Sequence, residues 1–376
     1  MNIAVNTRLL LKNKLEGIGW FTFETLKRIT KAHPEHHFYF LFDRVYDKSF
    51  IFSENITPVT IFPPTRHAFL WFIWFEIQLP RIFKKYKIDA FVSPDGYLSL
   101  RTKVPSLAVM HDINFVHRPQ DVPFWANAYY NYFFPRYARK AKRLVTVSNY
   151  SKQDIVQTFH IPEEKIELAY NGVNPIFSPL DEVQKTKIKA EYTNGNDFFI
   201  FVGAMHPRKN VVGLLKAFDE FKSSTGSKCK LVIIGEMMFK TSAIKETYTK
   251  LKCKSDIIFV GRLSPEKLRD VMASAIALVF VPFFEGFGIP IVEAMRCGTP
   301  VICSNKTSMP EVAGDAAIIV DPDKIGEIAK AMSKIQSDLT LHKTLSEKGI
   351  VRSNMFSWDK TAEILWQSID KILQDA

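Results

Sequence analysis

Short apolar runs alternate with helix-like segments along the chain, and this alternation restricts the possible folds more than any other feature. The strand-like runs of the first half are Asn2–Asn6, His37–Phe42, Ala90–Ser93, Ser106–Met110, Leu144–Ser148 and Lys165–Leu168. Those of the second half are Phe198–Val202, Lys230–Ile234, Ile257–Val260, Ala277–Val281, Val301–Ser304 and Ala317–Val320. Strands that alternate with helices predict parallel, doubly wound α/β sheets, and two complete sets predict two such domains.

The helix-like segments lie between these runs. They are Trp20–Ala32, Tyr129–Lys140, Val211–Lys222, Pro265–Ala273, Pro290–Cys297 and Lys324–Gln336. The turn-rich stretch Asn171–Pro179 separates the two sets and is the predicted linker. With 376 residues the chain is long enough for two cores. We therefore predict one Rossmann-like domain over residues 1–172 and a second over residues 173–355.

The composition is that of an ordinary soluble protein, with 47% hydrophobic and 24% charged residues. The four cysteines lack the paired spacing of metal ligands, which predicts free thiols and no structural metal. The chain opens directly into a strand-like run without a charged and apolar leader. We therefore expect no signal peptide and a cytoplasmic location.

The net charge of +11 is concentrated in residues 1–172, which also hold most of the aromatic residues. Such a surface suits nucleic acid or an anionic membrane, and the absence of a nucleic-acid-binding motif favours peripheral contact with the membrane. The apolar run Phe69–Phe75 is too short to span a bilayer. Its simplest interpretation is a helix buried against the sheet. Docking at the membrane interface, beside the basic residues of Leu79–Lys87, is the alternative.

The strongest chemical signal lies in residues 284–300, after the strand-like run Ala277–Val281. Pro290 suits the first turn of a helix, where its missing N–H is not needed, and Gly298 suits the end of that helix. Backbone N–H groups at a strand-to-helix turn bind anions, phosphate above all. The residues of the predicted turn are Gly286, Phe287, Gly288 and Ile289.

Two carboxylates frame this turn, Glu285 before it and Glu293 inside the helix. A diphosphate on the backbone amides, with hydroxyl-binding carboxylates on either side, describes a site for a nucleotide sugar. The simpler alternative is an ordinary strand–turn–helix in which Glu293 only favours the helix dipole. The joint occurrence of both carboxylates, the proline and the strand entry Gly298-Thr-Pro-Val301 favours the functional interpretation.

Two adjacent cations, Arg208 and Lys209, follow the run Phe198–Val202 and precede a helix. Cations at this position suit a diphosphate, which arginine can bind bidentately. A solvated basic loop is the alternative. Because these cations can neutralise the charge that develops on a leaving diphosphate, we expect chemistry without a metal.

Other candidate positions also follow predicted strands. Gly17 and Gly19 are expected in a loop that lets the backbone approach a phosphate or an acceptor, with a plain turn as the equal alternative. His111 follows the run Ser106–Met110, where a lone histidine is more often structural than catalytic. Val260 and Leu263 end and follow another run and are expected to line a nucleobase pocket.

As an ordered set, these segments resemble the retaining glycosyltransferases of family 4, which have the GT-B fold. The resemblance covers nearly the whole chain and is specific for the superfamily, not for the sugar. Besides the Glu-x7-Glu frame, it rests on Asn6-Thr-Arg-Leu with Gly17-Ile-Gly19, His111-Asp112, Val147–Ser151, Asn171–Asn174, Val202-Gly203, Pro207–Asn210, Pro310–Gly314 and Trp358.

The resemblance implies two domains that face a central cleft. Residues 1–172 would form the acceptor side and residues 173–355 would bind the nucleotide sugar. Residues 356–376 would form a helix that crosses back to the first domain.

The same resemblance assigns roles to the candidate residues. Arg208 and Lys209 would bind the donor diphosphate, Glu285 the hydroxyls of the transferred sugar, and Glu293 the ribose. His111 would lie near the transferred sugar and position a hydroxyl rather than act as a general base.

We therefore expect a retaining, metal-independent and cofactor-free transferase. It would move a hexose from a nucleotide-diphosphate sugar to a surface-glycan or lipid-linked acceptor. The segments Pro207–Asn210 and His111–Phe115 resemble those of mannosyl- and rhamnosyl-type members, so GDP-mannose is slightly favoured. Two alternatives stay open: a GT-B nucleotide-sugar epimerase, which needs no second sugar, and a non-catalytic sugar-nucleotide-binding or membrane-scaffold protein. No nucleic acid partner is expected.

Overall fold

Two units share the chain in this computed structural model, which describes residues 1–236 and 242–374. Unit 1 contains Met1–Gly172 and Ser357–Ala376, and unit 2 contains Val173–Phe356. The chain therefore leaves unit 1 after Gly172 and returns to it at Ser357.

Each unit is built on a parallel sheet. The strands of unit 1 are β1 Asn2–Asn6, β2 His37–Phe42, β3 Ile56–Thr60, β4 Ala90–Ser93, β5 Ser106–Val109, β6 Arg143–Thr146 and β7 Ile166–Leu168. Those of unit 2 are β8 Phe198–Val202, β9 Lys230–Ile234, β10 Ile257–Gly261, β11 Ala277–Phe280, β12 Val301–Ser304 and β13 Ala317–Val320. Over the described residues the sheet orders are β3-β2-β1-β4-β5-β6-β7 and β10-β9-β8-β11-β12-β13. The order reverses between β1 and β4 in one sheet and between β8 and β11 in the other, and ligands bind at the carboxyl ends of strands at such points.

Helices cover both sheets. They are α1 Gly17–Ala32, α2 Ala68–Phe72, α3 Leu79–Tyr86, α4 Asn114–His117, α5 Phe124–Lys140, α6 Asn149–Phe159, α7 Glu182–Thr193, α8 Val211–Thr225, α9 Ser242–Lys250, α10 Pro265–Ala273, α11 Ile289–Arg296, α12 Met309–Ala313, α13 Ile325–Ser337, α14 Leu339–Ser353 and α15 Trp358–Gln374. A π-helical segment, Ile73–Gln78, joins α2 to α3.

The apolar run Phe69–Phe75 contributes mainly to the core of unit 1. Trp74 and Phe75 are completely buried in that core, and Trp71 and Phe72 pack against it half-buried. Phe69, at the start of the run, is 72% exposed. The buried-helix interpretation therefore holds for the second half of the run.

Helix α15 packs against α1 in unit 1. Arg28 of α1 forms an ion pair with Asp359 at 2.5 Å, and Thr361 donates a hydrogen bond to the carbonyl of Tyr170. A Cβ atom at Gly172 would lie 2.2 Å from the backbone nitrogen of Trp358. Only glycine therefore permits this close approach of the two chain segments.

The prediction of two parallel, doubly wound sheets is confirmed. The strands β1, β2, β4, β8, β9, β12 and β13 have the predicted bounds. Strand β3 is missing from the prediction. It contains Pro58, which argues against an interior strand, and it lies at the edge of its sheet, where a proline is tolerated.

Candidate active site

The turn between β11 and α11 is held in a fixed conformation by neighbouring side chains. Ser308 donates hydrogen bonds to the carbonyls of Glu285 and Phe287, at 2.9 and 3.2 Å. Gly288 has a φ of +96°, and a Cβ atom there would lie 2.7 Å from the Cε of Met309. Within the described residues no side chain caps α11. The positive end of the helix dipole, at the start of α11, therefore suits a bound anion.

Glu285 meets both predicted cations. Its Oε1 contacts the guanidinium of Arg208 and the ammonium of Lys209, and all three side chains are largely buried. The backbone N–H of Phe283 donates to the carbonyl of Arg208 at 2.8 Å, which ties the two loops together. Burial alone would raise the pKa of Glu285, but Arg208 and Lys209 outweigh it and the pKa lies below its usual value. Glu285 is therefore an ionised carboxylate.

Glu293 lies on α11 in a different electrostatic environment. Its carboxylate forms no hydrogen bond or ion pair with any other residue that the structure describes. Burial raises its pKa to about 8. The two carboxylates of the frame therefore differ: Glu285 is paired and ionised, whereas Glu293 is unpaired and mostly protonated at neutral pH.

Asn210 follows the two cations and has a structural role. Its amide nitrogen donates to the carbonyls of Val281 and Pro322, at 3.1 and 2.8 Å. Its side-chain oxygen accepts from the N–H of Gly213 at 3.2 Å and caps α8. Asn210 thereby links the loop after β8 to the loop after β11, which places Arg208 and Lys209 beside Glu285.

Val260 and Leu263 occupy the end of β10 and the loop that follows, and both are half-buried. Gly261 between them has a φ of +78°, and apart from its chain neighbours no described residue has a heavy atom within 4 Å of the position of a Cβ atom there. A nucleobase pocket at Val260 and Leu263 stays a prediction.

His111 of unit 1 follows β5 and is held on two sides. Its Nε2 lies 2.9 Å from the carbonyl oxygen of Pro94, and its ring packs edge-on against Phe21 at 5.0 Å between centroids. The hydroxyl of Ser151 donates to the carbonyl of His111 at 3.0 Å. Burial lowers the pKa of His111, against the opposing effect of the Pro94 hydrogen bond. The imidazole is therefore neutral at physiological pH.

The predicted loop position of Gly17 and Gly19 is wrong, because α1 begins at Gly17. A Cβ atom at Gly19 would lie 3.0 Å from the carbonyl oxygen of Leu9 and 3.1 Å from Leu15. Gly19 is therefore explained by close packing of the preceding loop on the helix. Gly17 is exposed at the first turn of α1.

A buried polar cluster at the carboxyl ends of β1 and β4 was missed. The Nε of Arg8 and the Nδ2 of Asn6 donate to the carboxylate of Asp95, at 2.6 and 2.7 Å. Arg8 and Asp95 are 8% and 9% exposed. The sequence does contain a signal for this cluster, because Arg8 and Asp95 each follow closely after a strand-like run. In a doubly wound sheet, ligands bind at the carboxyl ends of the strands, where such residues lie.

The predicted site residues thus fall into two groups. Arg208, Lys209, Glu285 and the turn before α11 come together in unit 2, whereas His111 and the two glycines belong to unit 1. Among the residues described, no group of three or more acidic, histidine or cysteine side chains could hold a metal ion. Over the same residues, no helix is long and apolar enough to cross a membrane.

Comparison with known families gives matches in both halves of the chain. Residues 183–352 match the model of the glycosyl transferases group 1, and residues 16–176 match that of glycosyltransferase family 4. Together the two models span most of the chain.

Individual proteins show the same similarity over the full length. The O-antigen chain mannosyltransferase B of Escherichia coli is 26% identical over 93% of this chain and 94% of its own. A glycosyltransferase from Rickettsia africae has a similar structure, with a TM-score of 0.76, 19% identity and coverage of 100% and 99%. Anabaena Alr3699/HepE, solved in complex with UDP-glucose, gives a TM-score of 0.76, 17% identity and coverage of 99% and 100%.

Proposed function

Because the chain belongs to the family 4 glycosyltransferases of the GT-B fold, we propose that it is a retaining enzyme that transfers a hexose from a nucleotide-diphosphate sugar to a surface-glycan or lipid-linked acceptor. The observation that carries this proposal is the convergence of Arg208, Lys209 and Glu285 beside the uncapped start of α11. Two cations and a helix N-terminus suit a diphosphate, and an ionised carboxylate suits the hydroxyls of a sugar.

The chemistry follows from where charge develops. As the glycosidic bond of the donor breaks, negative charge grows on the leaving diphosphate. Arg208, Lys209 and the amides at the start of α11 stabilise this charge more in the transition state than in the ground state. Before the donor binds, Glu285 balances the two cations. When the diphosphate takes over the cations, Glu285 turns to the hydroxyls of the transferred sugar.

Two further residues have proposed roles. Glu293 accepts a hydrogen bond from a ribose hydroxyl, which provides the partner that its carboxylate lacks within the described residues. His111 binds a hydroxyl of the transferred sugar or the acceptor as a neutral imidazole. The acceptor attacks on the face that the diphosphate leaves, and the departing diphosphate accepts the proton of the acceptor hydroxyl. The configuration of the sugar is thereby retained.

For the transferred sugar we favour mannose, from GDP-mannose, in the synthesis of a polysaccharide or lipopolysaccharide. The full-length relative from E. coli is named as an O-antigen chain mannosyltransferase, which supports this choice. A panel of GDP-, UDP- and dTDP-sugars in a thermal-shift experiment tests it, because a bound ligand stabilises the folded state. Stabilisation by UDP- or dTDP-sugars alone would contradict the choice of GDP-mannose.

We also propose that the enzyme works at the cytoplasmic face of a membrane, with unit 1 towards the acceptor. Phe124 and Trp125 at the start of α5 are each 76% exposed, and Arg139 and Lys140 are exposed at its end. Exposed aromatic and basic side chains on one helix suit an anionic interface. The four cysteines are buried free thiols, as is usual in a reducing compartment.

Product analysis separates the proposed function from its alternatives. The donor is incubated alone and then with an acceptor, and the products are identified by mass spectrometry and NMR. Transfer only with acceptor, with retention at the anomeric carbon, supports the proposal. A changed donor sugar without acceptor indicates an epimerase, and binding without any product indicates a non-catalytic protein.

Activity in excess EDTA is expected because Arg208 and Lys209 supply the positive charge, and loss of activity that Mg²⁺ or Mn²⁺ restores would contradict metal independence.

A further inference from the structure

The hydrogen bond between His111 and Pro94 fixes where the proton of the imidazole lies. A carbonyl oxygen can only accept, so the Nε2 of His111, 2.9 Å from that oxygen, carries the hydrogen. In the neutral ring the other nitrogen, Nδ1, is then a bare acceptor. Nδ1 forms no hydrogen bond with any residue that the structure describes. His111 can therefore accept a hydrogen bond from a ligand through Nδ1, whereas its one N–H already donates to Pro94.

The position of the Pro94 carbonyl depends on its neighbour Asp95. The carboxylate of Asp95 accepts hydrogen bonds from the side chains of Asn6, Arg8 and Ser93, at 2.7, 2.6 and 3.0 Å. Asn6 ends β1 and Ser93 ends β4, so these bonds join the two strands at which the sheet order reverses. The loop that carries Pro94 is therefore fixed by β1 from one side.

Arg8 is itself held by several contacts. Its Nη1 lies 3.2 Å from the hydroxyl of Thr65, and its guanidinium stacks over the ring of Tyr97 at 4.1 Å from the centroid. A buried ion pair of this kind is weak evidence for stability, since desolvation offsets most of the attraction between the charges. What the pair does provide is a fixed geometry beside His111.

We propose that Arg8 and Asp95 are positioning residues for the proposed transfer reaction: they hold the Pro94 carbonyl so that His111 presents Nδ1 as an acceptor to a substrate hydroxyl. This inference rests on the proposed function for its consequence in catalysis. Its structural part, the control of the tautomer, can be tested without any turnover. Neither Arg8 nor Asp95 needs to touch a substrate.

The first experiment measures the tautomer directly. Protein labelled with ¹⁵N-histidine is examined by long-range ¹H–¹⁵N NMR, and the His111 signals are assigned by their loss in His111→Asn. The test variant is Arg8→Met with Asp95→Asn, which removes both charges so that neither is left buried alone. We expect a single tautomer with hydrogen on Nε2 in the wild type and a mixture of tautomers in the variant.

The second experiment measures transfer. In the double variant kcat should fall by at least ~10-fold while the donor KM changes by less than ~3-fold, because a misplaced group affects the transition state more than ground-state binding. His111→Asn, whose side-chain oxygen lies near the position of Nδ1, should retain more activity than His111→Gln, which keeps only the anchoring amide. Lys222→Met is the control, because it breaks a half-buried ion pair with Asp256 in unit 2.

Several outcomes would overturn the inference. One is a folded double variant that keeps the wild-type tautomer, whether or not the protein transfers sugar. Another is a double variant whose melting temperature falls while tautomer and kcat stay unchanged, since that is a purely structural role. Greater activity of His111→Gln than of His111→Asn would also exclude Nδ1 as the acceptor. A wild type that transfers no sugar refutes the proposed function alone, and the NMR result then decides the positioning role.

Discussion

Three charged side chains, Arg208, Lys209 and Glu285, meet in a largely buried position in unit 2. A buried carboxylate between two cations is stable because each charge has a partner, and removal of one member leaves the others unbalanced. When an anion binds to such a group, the ion pairs within the group weaken, because the two cations contact the diphosphate in place of the carboxylate. In the proposed donor binding, the diphosphate therefore replaces Glu285 as the partner of Arg208 and Lys209.

Loss of either cation should impair transfer. Arg208→Ala and Lys209→Ala should each lower turnover by at least ~10-fold, since a lost charge-assisted hydrogen bond is worth roughly 1.5–3 kcal/mol. Steady-state kinetics with a donor titration measures this effect. Lys216→Ala, on the exposed side of α8, is the control and should keep wild-type kinetics. Unchanged turnover and donor affinity in both cation variants would exclude a diphosphate role.

The raised pKa of Glu293 predicts a pH-dependent stability. The folded protein holds this proton to about pH 8, whereas the unfolded chain releases it near the ordinary pKa of a glutamate. The folded state therefore binds more protons in this interval, and its stability decreases as the pH rises through it. Glu293→Gln removes this cost, so its melting temperature should exceed that of the wild type by an amount that grows from pH 5 to pH 8.

Thermal melts at several pH values check this prediction. Glu191→Gln, on the exposed surface of α7, is the matched control and should follow the wild type at every pH. A constant difference between Glu293→Gln and the wild type from pH 5 to pH 8 would show that the carboxylate does not titrate in this range.

The candidate residues could be named from the sequence, but their electrostatic states could not. The positions of Glu285 and Glu293 were read from one local pattern. That Glu285 is paired, with a lowered pKa, and Glu293 unpaired, with a raised one, depends on contacts with a segment far away in the chain. Asn210 illustrates the same limit, because its partners Val281 and Pro322 follow other strands of the sheet.

At the scale of elements, the turn from β11 to α11 shows how a short loop acquires one conformation. Its carbonyls are held by Ser308 after β12, and its glycine has a conformation that other residues rarely adopt. The helix that follows starts without a side-chain cap within the described residues, so the positive end of its dipole suits an anionic ligand only while the turn keeps this shape.

Gly288→Ala should therefore damage the site more than an ordinary glycine substitution. An alanine at positive φ costs about 1–2 kcal/mol, and at Gly288 the new Cβ also collides with Met309. Gly226→Ala is the control: its φ is +64°, but among the described residues, local backbone and chain neighbours aside, no heavy atom lies within 4 Å of the added Cβ. Both variants should lose thermal stability, and only Gly288→Ala should lose donor binding in calorimetry. Equal donor affinity in the two variants would contradict the importance of this turn.

Sequence patterns located the strands better than the ends of the helices. Buried parallel strands such as β8 and β12 are continuous apolar runs, which are easy to recognise. Helix α1 starts earlier than predicted because Gly17 and Gly19, normally loop residues, lie in its first turn. A glycine is needed at position 19 because the backbone of Leu9 packs closely against it, and no local sequence pattern indicates this contact.

At the scale of the whole molecule, the GT-B prediction is confirmed by two parallel Rossmann-like sheets and by full-length similarity to a solved glycosyltransferase. It was predictable because the strand–helix alternation and the ordered motifs extend over nearly the whole chain. The sugar and the acceptor were not, because they depend on surface residues without a recurring pattern.

The basic character of unit 1 predicts binding to anionic membranes. Two clusters of cations are candidates, one on and after α3 and one at the end of α5; they contain Arg81, Lys84, Lys85 and Lys87, and Arg139, Lys140, Lys142 and Arg143. Each well-placed cation contributes about 1 kcal/mol near such a surface. The protein should therefore co-sediment with vesicles rich in anionic lipid at low salt and dissociate at high salt.

Charge reversal tests which residues are responsible. Lys84→Glu with Lys85→Glu, and Arg139→Glu with Lys140→Glu, should each weaken sedimentation at low salt. Trp125→Ser should also weaken it at low salt, because an apolar contact is lost. Lys343→Glu in unit 2 is the control. A wild type that stays in the supernatant at low salt would refute membrane docking and leave a solvated basic face.

The return of α15 to unit 1 has a consequence for the order in which the protein is made. The ribosome releases β1–β7 long before it synthesises α15, and domains fold as units when their residues are available. Trp358, Leu365 and Ile369 fill the interior of unit 1. Until they emerge, the nascent first unit has an uncovered apolar face, whereas the second unit is contiguous from Val173 to Phe356. The unit encoded second is therefore the first whose chain is complete, and the unit encoded first depends on a helix that is translated after the second unit.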